Sequence, residues 1–155
     1  MRPAIENLCY NGRSPPRQQK RGAMNYRAKT TFAVKRWDEQ SFLHYAEGRK
    51  LTRARVTHLY AGDLEGEGQV EYLLAYTVNG TGQAVALERV TGKLAGRSGS
   101  FVIQHTTTFA AHAVQDRWSV VPGSGTDDLR ALSGGGAFEL TGPGPYPISF
   151  DFRLE

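Results

Sequence analysis

The sequence predicts an all-β domain, a sandwich or a barrel, and three observations carry that reading. Short runs of alternating apolar and polar residues fill the chain from Tyr26 to Leu154. A Gly, Pro or Asn turn closes each run roughly ten residues after the last, the spacing of an all-β sandwich or barrel. No segment carries a convincing long helical period, and no internal repeat is evident. Alternation alone does not separate a closed barrel, which has no edge strands, from an open sandwich.

The first strand is Arg27 to Trp37, with Ala28, Thr30, Phe32 and Val34 on one face and Lys29, Thr31 and Lys35 on the other. Asp38 to Gly48 reads as a connection: Asp38 caps a short helix carrying Phe42, Tyr45 and Ala46, or the stretch is a loop. The second strand, Leu51 to Tyr60, sets Ala54, Val56, His58 and Tyr60 against Arg53, Arg55 and Thr57. In the third, Leu64 to Val78, Gly66 and Gly68 share a face with Val70, Tyr72, Leu74 and Tyr76. Glycine weakens a strand, so an inward pair marks a bend at a barrel corner or a ligand lying close to backbone. Asn79-Gly80 then supplies the strongest short hairpin signal, because both positions tolerate positive φ.

Gln83 to Thr91 forms the fourth strand, and Gly92 to Gly99 a glycine-spaced turn. The fifth, Ser100 to Phe109, alternates Phe101, Ile103, His105, Thr107 and Phe109 with Val102, Gln104, Thr106 and Thr108. A sixth strand over Ala113 to Val121 ends at Pro122-Gly123-Ser124-Gly125, and Ser133 to Leu140 contains the seventh. In the last, Tyr146, Ile148, Phe150, Phe152 and Leu154 oppose Ser149, Asp151 and Arg153, the cleanest half-buried pattern in the chain.

A chain of 155 residues is one domain, able to bury roughly two-thirds of its unfolded surface. Its net charge of +4 lies in the tail, where Arg2, Arg13, Arg17, Lys20 and Arg21 face Glu6 alone. The remainder is electrically balanced, which argues against a nucleic-acid reader with a basic folded face. Residues 1–23, with Ser14-Pro15-Pro16 and no apolar period, read as a disordered basic tail before a domain spanning 24–155. Met24 stands directly before the first strand-like residues and is a second candidate start, which would make the tail an over-extended reading frame. No apolar run approaches the ~18 residues that span a bilayer, and the charged N-terminus is not a secretory signal. The single cysteine, Cys9, excludes an internal disulfide and a Cys-based metal site. A cytoplasmic protein without membrane partners is the expectation.

The informative residues of a barrel are polar ones on an apolar face. By parity these are His58 beside Val56 and Tyr60, Glu88 beside Ala86 and Val90, His105 beside Ile103 and Thr107, and Asp116 beside Val114 and Trp118. Tyr72 and Tyr76 add hydroxyls to the same kind of face. In one lumen, burial would raise a carboxylate's pKa and lower a histidine's, giving an acid and a base near neutrality. Each has a plainer reading. A strand histidine is commonly structural, Glu88 could pair across strands, and Asp116, flanked by Gln115 and Arg117, could face solvent. Val85 and Leu87 also argue for the opposite register of the fourth strand, which would turn Arg89 inward in place of Glu88.

No segment completes a Walker A or dinucleotide fingerprint. The four histidines include no ligand pair at short spacing, and no Gly-x-Ser-x-Gly elbow occurs. Nothing in the sequence calls for a metal, a cofactor or a covalent intermediate.

Six stretches in order resemble a bacterial domain-of-unknown-function family: FAVKRWDE at Phe32–Glu39, KLTRA at Lys50–Ala54, GDLEGEGQVEYLLAY at Gly62–Tyr76, LERVTG at Leu87–Gly92, GRSGSFVIQH at Gly96–His105 and WSVVPGSG at Trp118–Gly125. That family is grouped with allene oxide cyclase-like β-barrels, and the resemblance covers nearly all of Tyr26 to Leu154 but not the tail. It implies a closed eight-stranded antiparallel barrel with a lumen, of a type commonly oligomeric. It implies no established reaction. Related barrels include cyclases that fold a flexible substrate in an apolar cavity without a cofactor, catalysis that rests on shape and dipoles. No cyclase catalytic residue maps onto this chain through these motifs, so the analogy is one of fold.

The resulting expectation is a barrel that binds a small, largely apolar molecule in its lumen, with cofactor-independent cyclase or isomerase activity as the catalytic form. Glu88 and His105 are the catalytic candidates, and Tyr72, Tyr76, Trp118, His58 and Asp116 the ligand-binding ones. A homo-oligomer is expected. The alternative is a non-catalytic binding or stress-related barrel of unknown ligand.

Overall fold

The computed structural model describes residues 25–154; the tail expected over 1–23 lies outside the described residues. Eight strands run β1 Tyr26–His44, β2 Lys50–Gly62, β3 Leu64–Tyr76, β4 Gly82–Leu94, β5 Arg97–Ala110, β6 Ala113–Val120, β7 Ser133–Leu140 and β8 Tyr146–Arg153. Each pairs antiparallel with the next, and β8 returns to β1 from Tyr26↔Phe152 to Phe32↔Tyr146. The barrel is therefore closed, and the sandwich is set aside.

One element differs from the sequence reading. The connection expected over Asp38 to Gly48, helical or not, is the continuation of β1 to His44, paired with β2 as far as His44↔Lys50. Register shifts between Val34 and Arg36 and between Ser41 and Leu43 break the two-residue alternation that marks a strand. Beyond Phe32 this strand leaves β8, so residues 33–44 pair with β2 alone, an edge ribbon on the sheet that β2 continues to β3. Glu39 ties the ribbon to the barrel wall, accepting hydrogen bonds from Tyr76 Oη at 2.6 Å, Thr52 Oγ1 at 2.7 Å and Trp37 Nε1 at 3.0 Å.

Elsewhere β2, β4 and β5 run a little past their expected ends, and β3 stops at Tyr76, two residues short of its own. β4 continues through Gly92 to Leu94, and the turn narrows to Ala95 and Gly96, both at positive φ. Asn79 and Gly80, at φ 59° and 70°, make the expected hairpin turn. Gly66 and Gly92 face each other across β3 and β4, each at a positive φ, and a Cβ on Gly66 would lie 2.2 Å from the Thr91 carbonyl oxygen. Only glycine permits that approach, so the glycine at 66 marks close packing of the β3 and β4 backbones. Gly68 has a different cause, taken up with the site.

Side-chain size divides the interior. Towards the β2–β3 and β4–β5 turns, Phe101, Phe150, Leu64, Leu94 and Val90 fill the lumen, and buried Leu129 and Leu132 of the β6–β7 connection close that end. Towards the opposite hairpins, the inward positions are small or medium: Ala54, Val56, Val70, Leu74, Ala84 and Ala86. Three alanines cannot fill a lumen that Phe and Leu fill at the other end, so space remains. Val85 and Leu87, 52% and 55% exposed, lie on the outer face with Leu73, and Glu88 is wholly buried. The register that turns Arg89 inward is thus excluded. No helix among the described residues is long and apolar enough to cross a membrane.

Candidate functional site

Midway along the lumen, four strands contribute to one buried polar network. Glu88 of β4 is its hub. Its Oε1 lies 2.8 Å from His105 Nε2, and its Oε2 accepts from Tyr60 Oη at 2.6 Å and lies 3.2 Å from His58 Nδ1. His105 of β5 reaches Asp116 Oδ2 of β6 with Nδ1 at 2.8 Å, and Thr107 donates to Asp116 Oδ1 at 2.7 Å. The order is Asp116, His105, Glu88, His58: carboxylate and imidazole in alternation.

Proton positions follow from the partners. Both nitrogens of His105 face carboxylate oxygens, so both carry hydrogen and the ring is an imidazolium. Burial pulls the His105 pKa down, but hydrogen bonds to Asp116 and Glu88 and their charges outweigh it and raise it to about 9. Burial likewise pushes Glu88 up, and is outweighed by hydrogen bonds from His105 and His58, which lower it to about 2. With Glu88 ionised, His58 donates from Nδ1, and in the neutral ring Nε2 is then the acceptor. Burial first, then the Glu88 charge, raises the Tyr60 and Tyr72 phenols, so both stay neutral donors.

Gly68 makes this arrangement possible. A Cβ at position 68 would sit 1.9 Å from Glu88 Oε2. The second inward glycine therefore accommodates a carboxylate of the protein itself, where the sequence suggested a bend or a ligand.

Above the network the space left by the alanines is a cavity of about 450 Å³. Gly80, Ala110 and Ala111 lie at its hairpin end; His58, Thr107, Asp116 and Tyr72 line its floor. Phe32, Trp37, Tyr76, Phe109, Phe138 and Tyr146 give it aromatic walls. Below the network the lumen retains only about 10 Å³. A concavity of about 620 Å³ on the outer surface, beside Leu73, Val85 and Leu87, is larger, but of the sequence-predicted site residues it is lined by Tyr72 alone. The luminal cavity is therefore the candidate site.

His58, Asp116, Tyr72 and Tyr76 border this cavity, whereas Glu88 and His105 lie beneath its floor and do not line it. Trp118 sits in the filled half, 4.7 Å from the Phe150 ring centroid, away from the cavity. Sequence reasoning gave no site role to Phe32, Trp37, Phe109, Phe138 or the Glu88 partner Tyr60. Parity was the available signal for Tyr60, two residues from His58. Trp37 lay outside such reasoning because the irregularity after Val34 hides its face. Among the described residues, no trio of His, Cys, Asp and Glu is placed to hold a metal ion.

Fold and site together define a small closed antiparallel barrel with an aromatic-walled luminal cavity over a buried ionic network. The chain belongs to the family described as "Protein of unknown function (DUF3224)", whose profile matches residues 28–152. A crystal structure of a DUF3224-family protein of unknown function from Shewanella oneidensis MR-1 is similar, with a TM-score of 0.69 and 32% sequence identity over 85% of this chain and 99% of that one. No curated protein matches the chain.

Proposed function

We propose that this barrel binds a small, largely apolar molecule in its lumen. The observation that carries the reading is the cavity of about 450 Å³, with aromatic walls and polar groups confined to its floor. Such a site takes the apolar body of a ligand along the walls and orients one polar group at the base. The exposed outer row of Leu73, Val85 and Leu87 supports self-association of such barrels.

A neutral lipophilic naphthylamine dye tests the reading. Its fluorescence should rise on mixing with the wild-type protein and should not with Ala84→Phe, which fills the cavity from β4. Thermal melts of both proteins confirm that each is folded. Equal fluorescence with both proteins, or no change with either, overturns the luminal site.

A second reading, cofactor-independent isomerisation or cyclisation of the ligand, is favoured by His58. Its Nε2 makes no hydrogen bond among the described residues, and the ring lines the cavity with its other nitrogen on Glu88. A carboxylate-oriented imidazole facing a bound substrate is the arrangement of a general base. In this reading His58 touches the substrate, Tyr72 donates to a developing oxyanion, and Glu88 and His105 are positioning residues.

A further inference from the structure

The polar groups on the cavity floor are mostly acceptors. Thr107 spends its one hydroxyl hydrogen on Asp116, and both Asp116 oxygens accept while retaining further lone pairs. His58, only 5% exposed, gives its Nδ1 hydrogen to Glu88 and has Nε2 unpartnered. Trp118 Nε1 is the one fully buried side-chain nitrogen or oxygen without a partner among the described residues. His58 Nε2 and the Tyr72 hydroxyl, also without partners, therefore have open space before them, and both residues line the cavity.

Charge points the same way. With His58 in its neutral form, the two buried carboxylates Glu88 and Asp116 face one imidazolium, His105, and the network is one positive charge short of balance. At the rim Glu39 and Lys50 offset each other and leave that imbalance standing. The walls are aromatic, and the faces of such rings carry the negative side of their quadrupole.

We infer that the ligand is a lipophilic organic cation, an ammonium whose N–H groups meet His58 Nε2 and Asp116 and whose apolar remainder lies against Phe32, Trp37 and Phe109. This rests on the luminal binding reading and names the chemistry of the polar end. An anionic amphiphile brings a like charge to Asp116 and finds one donor, Tyr72. A neutral alcohol gains neither the charge nor the aromatic faces.

Three probes of equal chain length separate the alternatives: octylammonium, octanol and octanoate, each titrated into the full chain by calorimetry at neutral pH. Octylammonium should bind at least about tenfold more tightly than octanol, with octanoate weakest. Asp116→Asn should narrow the gap between octylammonium and octanol. Octanol or octanoate binding as tightly as octylammonium overturns the cationic assignment and leaves the luminal site standing. Binding by none of the three overturns both.

Discussion

Gly68 and Glu88 share one volume: a Cβ on the first would fall 1.9 Å from Oε2 of the second. A strand glycine that weakens the sheet locally here admits a buried carboxylate. Gly68→Ala should therefore destabilise the fold by about 1–3 kcal/mol through overpacking. Urea unfolding measures it, and in a Glu88→Ala background the same substitution should cost markedly less, because the colliding atoms are gone.

Glu88→Gln keeps the volume and removes the charge that three donors address. His105, Tyr60 and His58 would then face an amide carrying hydrogens of its own. Loss of about 3 kcal/mol is expected, the order found when one partner of a buried pair is removed. Unfolding midpoints of wild type and variant at pH 7 check this.

Stability should fall on both sides of a mildly acidic plateau. Glu88 is depressed from 4.5 to about 2, so its contribution is complete above about pH 4.5 and is lost as pH falls through about 2. His105 is raised from 6.5 to about 9, so its contribution is complete below about pH 6.5 and is lost as pH rises through about 9. Denaturant midpoints across that range should show the alkaline decline, and His105→Asn should flatten it.

Much of this was legible in the residues. Parity placed His58, Glu88, His105 and Asp116 on inward faces, and all four are buried. Parity does not say how deep a residue lies along a lumen or which strand faces which. That depends on register and shear, so the sequence could not separate His58 and Asp116 on the floor from Glu88 and His105 beneath it. Apolar Val85 and Leu87 on the outer face blurred Glu88 in the same way. The β1 ribbon was hidden because two irregularities interrupt its alternation, and Phe42, 60% exposed, imitates the apolar side of a short helix.

His58→Asn separates fold from site. The Asn amide can replace Nδ1–H towards Glu88 but has nothing at the position of Nε2. The variant should stay within about 1–2 kcal/mol of wild type in urea. Its affinity for octylammonium should drop about tenfold, the worth of one charge-assisted hydrogen bond.

The most direct test of the luminal site is native mass spectrometry of the protein purified from its own host without denaturation. The account predicts a discrete added mass that is released on unfolding and is absent from Ala84→Phe prepared in the same way. An added mass carried equally by wild type and Ala84→Phe would contradict it, because the molecule would then be bound elsewhere than the cavity.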